Sequence, residues 1–298
     1  MNQTTEELAW KTFEDLHLNP QSVFIGKSGK TNQARTVEIH LEDHAQTYEF
    51  GIVFRILNDL YVYEVKSVAK TTIQGQKEWK SKAMQKRKFL REHLSILGQQ
   101  NDLFTGIKNI TYVILTDNRI IPDINNSIPI VDGKTYLEAF PKMIRSKIEK
   151  EMEKNNGWIN KAPLLKTLIE MFPNESELTH LYANSEIDPA VRETYYKKSL
   201  AVYENPLVMS HFSTLYIQQG RLEEAEVLLA SAVQKNPSDP NIHYNMACLY
   251  AKRQEVEKMK SELKRSVDLN SAYKQKAIAD TDFQEYWEDM DFREIVMV

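Results

Sequence analysis

Tyr61-Val62-Tyr63-Glu64-Val65-Lys66 is the stretch on which the first half of the chain turns. Tyr and Val favour extended backbone, so the segment reads as a β-strand. Glu64 and Lys66 are two residues apart and leave the same face of that strand. A carboxylate and an ammonium held side by side there can bind a divalent metal and position a water for attack on a phosphate. They can equally form an ordinary ion pair. The flanking sequence has to choose.

Upstream, Tyr48 to Leu57 reads as a second strand, and Asn58-Asp59 as the polar turn of a hairpin. Residues 36–44 read as another strand, with Glu38, His40, Glu42 and His44 on one face and Val37, Ile39 and Leu41 on the other. That alternation is the solvated face of a half-buried strand in preference to a metal site from His40 and His44. Gly26-Lys27-Ser28-Gly29-Lys30-Thr31 ends like a phosphate-binding loop. However, Phe24 stands where that motif needs a small residue, and a strand follows instead of a helix. It reads as a basic loop. A short helix spans Thr4 to Leu18 and stops at Asn19-Pro20, and Val23-Phe24-Ile25 is a short strand.

Downstream the chain turns basic, with Lys70, Lys77, Lys80, Lys82, Lys86, Arg87, Lys88 and Arg91. Trp79 to Leu97 has helical spacing, Phe89, Leu90, Leu94 and Leu97 forming its apolar stripe. Ile110 to Thr116 is a nearly unbroken apolar run, as in a central strand covered on both faces. Ile128 to Val131 is one more strand. Thr135 to Lys154 is a helix with Leu137, Phe140, Ile144 and Ile148 inward, and Asn155-Asn156-Gly157 closes the domain.

Composition sets outer limits. Of 298 residues, 27% are charged and 42% hydrophobic, the balance of a globular protein. A net charge of -4 argues against a chain that binds nucleic acid over its whole surface. The single cysteine, Cys248, excludes an internal disulfide and a Cys-rich zinc site. No apolar run reaches the ~18 residues of a membrane span. With a polar, acidic start to the chain, the expected location is cytoplasmic and no membrane partner is expected.

The second half repeats. Leu181-Tyr182, Leu215-Tyr216 and Leu249-Tyr250 are spaced 34 residues apart, as are Asn205-Pro206 and Asp239-Pro240. In the middle unit, Pro206–Gln218 is the first helix, Gly220 the turn and Leu222–Lys235 the second helix, with Ala225 and Ala232 where the helices cross. This resembles the tetratricopeptide repeat. Ala277 to Phe283 and Asp289 to Phe292 resemble the end-of-group element that closes many bacterial arrays of this kind, and this tail is acidic. Such arrays form a concave surface, which implies a peptide or protein partner. Cys248 reads as a small core residue.

The first half resembles the nuclease-related domain, a branch of the PD-(D/E)XK nuclease superfamily. The resemblance rests on Glu49-Phe50-Gly51-Ile52-Val53 before Leu60 to Lys66, then Met84-Gln85-Lys86 in a basic helix, then the strands and helix of 110–148. It implies an α/β restriction-endonuclease-like domain over 1–155, a mixed central sheet flanked by helices, followed by an all-α repeat domain over 156–298. It implies Mg²⁺ or Mn²⁺ held by Glu64 and Glu49, Lys66 beside the attacking water, and Gln85 at the attacked strand. Lys82, Lys86, Lys88 and Arg91 would hold the nucleic-acid backbone, DNA by preference. One position departs: the metal-binding Asp of the family falls on Gly51. Glu49, about 6.6 Å away along the strand, is the substitute, with Glu42 or Asp43 as other sources and Asp59 a poor one because of its place in the turn. The expected activity is a metal-dependent nuclease whose repeats recruit a partner. The alternative is a non-catalytic interaction protein with a degenerate nuclease-like domain.

Overall fold

A computed structural model describes residues 4–26, 36–41, 47–66, 73–117, 128–154 and 158–297. The chain divides into two compact units, one of Met1–Asn155 with Lys166–Phe172, the other of Asn156–Leu165 with Pro173–Val298.

The first unit opens with α1 (Thr5–Asp15). Thr4 starts it with a reciprocal cap: its hydroxyl accepts from Glu7 N–H, and its own N–H donates to Glu7 Oε2. Then come β1 (Gln21–Gly26), β2 (Thr36–His40), β3 (Tyr48–Ile56) and β4 (Asp59–Lys66). Helix α2 (Ile73–Gln100) follows, then β5 (Asn109–Thr116), β6 (Ile130–Asp132) and α3 (Gly133–Lys154). The strands form one sheet in the order β2-β1-β3-β4-β5-β6. Pairs β1–β3 and β3–β4 are antiparallel, and β1–β2, β4–β5 and β5–β6 are parallel. The expected mixed sheet is therefore present. The basic loop of 27–35 and the acids Glu42 and Asp43, with His44, lie outside the described residues.

Each face of the sheet has its own apolar layer. On one, Leu60, Val62, Ile110, Tyr112 and Ile114 pack with Ala83, Phe89, Leu90 and Leu97 of α2. On the other, Phe54, Tyr61 and Tyr63 meet Phe13 of α1 and Phe140 of α3, with Phe13 4.6 Å from Phe54 and 5.1 Å from Phe140. β4 feeds both layers because its side chains alternate.

Two local features correct the sequence reading. The hairpin turn is Leu57-Asn58, since Ile56 pairs with Asp59. Asp59 thus begins β4, and accepts hydrogen bonds from Lys147 Nζ and from Asn109 Nδ2. In β3, Gln21 pairs with Val53 but Val23 pairs with Phe50, so Gly51 and Ile52 together oppose Ser22. This is a β-bulge, and Ser22 Oγ donates to Gly51 O at 2.8 Å across it. The extra residue reverses the alternation. Tyr48 and Phe50 join Val53 in the α2 layer, and Tyr48 stacks on Phe89 at 4.0 Å. Glu49 leaves the other face and is exposed.

The second unit consists of helical pairs. α5 (Ser176–Ser185) and α6 (Pro189–Val202), α7 (Pro206–Gln218) and α8 (Leu222–Lys235), and α9 (Pro240–Lys252) and α10 (Val256–Leu269) follow α4 (Trp158–Met171). Asp188, Asn205 and Asp239 cap α6, α7 and α9, each with Pro at the first helical position. Gly220, at φ 73°, makes the turn between α7 and α8. Ala225 and Ala232 are fully buried, as close helix crossing requires. The array closes with α11 (Ala272–Ala279), a 3-10 turn at Thr281–Tyr286 and α12 (Met290–Met297). Phe283 and Phe292 are buried there, their rings 5.8 Å apart.

Candidate functional site

Glu64 is at the end of β4 under α2, only 8% exposed. The β3–β4 pairing ends at Ile52 with Tyr63, short of Gly51 and Glu64. Lys86 of α2 enters beside that end. Its Nζ donates to Glu64 Oε1 at 2.5 Å and to the main-chain oxygen of Glu49 at 2.6 Å. Tyr112 OH of β5 also donates to Glu64 Oε1. Lys66 Nζ is 3.1 Å from Glu64 Oε2. Burial pushes the Glu64 carboxyl up, but the hydrogen bonds from Lys86 and Tyr112 and the charges of Lys86 and Lys66 outweigh it and hold it below its ordinary value. Burial and the Glu64 charge push the Tyr112 phenol upward, so Tyr112 stays a donor.

The sequence-predicted residues are thus partly brought together. Glu64 and Lys66 meet. Glu49 contributes a carbonyl, and its carboxylate lies on the far face of the bulge. Lys86 is turned inward onto Glu64. Gln85 is exposed on the outer side of α2, lining a shallow groove of about 580 Å³ with Lys88 and Arg91. Lys77, Lys80 and Arg87 line the same groove and were not among the predicted contacts. Burial first, and then the neighbouring Arg91, lower the Arg87 guanidinium. Lys82 is exposed on the same helix but does not line the groove.

A divalent metal at Glu64 does not fit the described residues. Mg²⁺ wants several hard oxygens, and this position offers one carboxylate with both oxygens committed. Two unit charges 4 Å apart at an effective dielectric of 20 interact by about 4 kcal/mol, and a dication beside an ammonium faces about twice that repulsion. Two such ammonium groups, of Lys66 and Lys86, already occupy the Glu64 carboxylate.

The repeat unit carries a second polar array. The first helices of successive pairs, α5, α7 and α9, are laced together by side chains. His180 Nε2 and His211 Nδ1 share a hydrogen bond at 2.8 Å, with Asn184 Nδ2 3.1 Å from His180 Nε2. Asn245 Nδ2 donates to Ser210 O and Oγ, and Asn241 Nδ2 to Ser210 Oγ at 2.9 Å. Burial, with His211 beside it, lowers His180 to about 4. Lys276 lies 4.0 Å from the Tyr244 ring centre. Cys248 is buried, and burial raises its thiol well above the ordinary value, which suits a packing role.

Fold and sites together define a mixed α/β domain followed along the chain by tetratricopeptide-like helical pairs. Residues 214–254 match the family described as TPR repeat. Among solved structures, MamA from residue 41 to the end, from Desulfovibrio magneticus RS-1, is similar at 15% identity and a TM-score of 0.43, covering 52% of this chain and 88% of that one. No curated protein matches the chain. Among the described residues, no helix is long and apolar enough to cross a membrane.

Proposed function

We propose that this protein is a non-catalytic interaction protein. The repeat unit holds a protein or peptide segment along its row of first helices. The outer face of α2 holds a nucleic-acid backbone through Lys77, Lys80, Arg87, Lys88 and Arg91, with Lys82 flanking. One observation carries the choice against catalysis: both oxygens of Glu64 are engaged by Lys66, Lys86 and Tyr112. The family match at 214–254 supports the repeat half of the reading.

Plasmid DNA incubated with Mg²⁺ or Mn²⁺ tests it. Wild-type protein leaves the DNA intact. Cleavage that disappears in both Glu64→Ala and Lys66→Ala would overturn the reading. The basic face is tested by duplex-DNA titration against salt. Replacing Arg87 and Arg91 together weakens binding across sequences and flattens the salt slope by about two. An unchanged slope removes α2 as the nucleic-acid surface.

A second reading, the metal-dependent nuclease, is favoured by the 3.1 Å approach of Lys66 to Glu64. It requires a further carboxylate, from Glu42 or Asp43.

A further inference from the structure

Helix α2 has two opposite faces. Ala83, Leu90 and Leu97 recur at intervals of seven and are buried against the sheet. Lys77, Met84, Lys88 and Arg91 recur at intervals of seven, four and three, which puts them on one stripe of the helix. All four are exposed and line the outer groove. Among the described residues, no Asp or Glu lines it. Lys80 and Arg87 are half-buried at its edges and engaged within the protein, so they add field more than contacts. Lys88 has an exposed ion pair with Glu92 at 3.7 Å, a kind worth about 0–1 kcal/mol that a phosphate can replace.

Two features of this stripe select one form of nucleic acid. Proteins that hold single strands stack the bases on aromatic rings. The ring side chains of α2 are Trp79, Phe89 and His93, and they turn to the other side. Trp79 packs against the core, Phe89 is buried in it, and the His93 ring stacks on Phe89 at 4.3 Å. The second feature is spacing. At ~1.5 Å per residue, Lys77 is about 16 Å from Lys88 and about 21 Å from Arg91 along the axis. The major groove of B-DNA is about 12 Å wide with a phosphate rail on each lip, a gap that long cationic side chains at the two ends of the stripe can span; the minor groove, at about 6 Å, is too narrow. The middle of the stripe is uncharged, with Ser81 and Met84. Base edges lie about 8.5 Å down the groove, so a helix resting on the rails does not read them. The narrow major groove of A-form RNA does not match this spacing.

We infer that α2 straddles the major groove of duplex DNA, with Lys77 on a phosphate of one strand and Lys88 and Arg91 on phosphates of the other. This rests on the reading of α2 as a nucleic-acid surface, and narrows it to one duplex and one groove without sequence preference.

Fluorescence-anisotropy titrations of the full chain test it, using a short labelled DNA duplex, each of its single strands, and an RNA duplex of the same sequence. The DNA duplex binds tighter than either strand or the RNA by about tenfold or more. Methyl green, a major-groove ligand, displaces the protein, and netropsin, a minor-groove ligand, does not. Lys77→Gln and Arg91→Gln, both at exposed positions, each weaken duplex binding and lower the salt slope by about one. Single strands or RNA bound as tightly as the DNA duplex would overturn the straddle and leave α2 as a nucleic-acid surface. So would displacement by netropsin alone, or an effect of Arg91→Gln without one of Lys77→Gln. No binding of any of these nucleic acids would overturn both.

Discussion

Lys86 Nζ lies 2.5 Å from Glu64 Oε1 while also reaching the main-chain oxygen of Glu49 at 2.6 Å, so one ammonium ties α2 to β4 and β3 together. Lys86→Met removes that tie and leaves a carboxylate that is 8% exposed. The expected loss is about 1–3 kcal/mol by urea denaturation. Adding Glu64→Gln to Lys86→Met recovers part of it. The sign of the pH effect follows from Glu64 being held below its ordinary value. Its contribution is present above the unfolded value and is lost as pH falls through the folded one. Lys86→Met therefore also reduces the acid sensitivity. A variant within 0.5 kcal/mol of wild type counts against the tie.

Restoring the acid of the nuclease family at Gly51 is not a simple exchange. A Cβ at Gly51 would be 3.0 Å from Tyr63 O and 4.0 Å from Glu64 Cα. The obstacle is main chain, so the strand itself has to move. Gly51→Asp and Gly51→Ala should both destabilise, by about 1–3 kcal/mol. Thermal denaturation checks this. Gly51→Ala as stable as wild type would show that the bulge yields readily.

The His180–His211 pair predicts acid lability in the repeat unit. Burial first, and then His211, hold His180 from 6.5 down to about 4. The unfolded chain therefore takes up this proton at a pH where the folded chain does not. Stability is full above pH 6.5 and declines as pH falls toward 4. His180→Gln should flatten that decline. Melting temperatures of both proteins at neutral and acidic pH read it directly, and parallel declines would exclude the pair as the cause.

Leu57, in the two-residue hairpin loop, has φ 54°. A branched side chain in the left-handed region costs on the order of 1–2 kcal/mol. Leu57→Gly removes the strain at a cost in unfolded-state entropy, for an expected net gain of up to about 1 kcal/mol. A lower melting temperature would mean that the half-buried Leu57 side chain contributes more by packing than its backbone loses.

The repeat half was legible because its signals are local and periodic. Proline after a capping Asn or Asp fixes where a helix begins, Gly220 fixes a turn, and α7 and α8 have the bounds their sequence implies. The sheet was legible strand by strand, as was the meeting of Glu64 with Lys66. The facing of Glu49 was not, because it depends on Ser22, a residue of another strand that opposes two residues of β3. The inward turn of Lys86 did leave a trace. Lys86 precedes Phe89 and Leu90 by three and four residues, which puts it on the buried stripe of α2. Seen as one of eight basic residues, it looked like surface.

The bulge at Gly51 gives β3 something like a reading frame. Side chains on either side of it are counted in different phases, so two residues an even number apart end up in separate chambers of the domain. Any chemistry assembled across that point is governed by phase before residue identity. Bringing the Glu49 carboxylate to Glu64 would take a shift of frame, an insertion or deletion beside Gly51 that re-seats Tyr48 and Phe50, whereas an acid placed at Gly51 itself has to displace main chain at Tyr63.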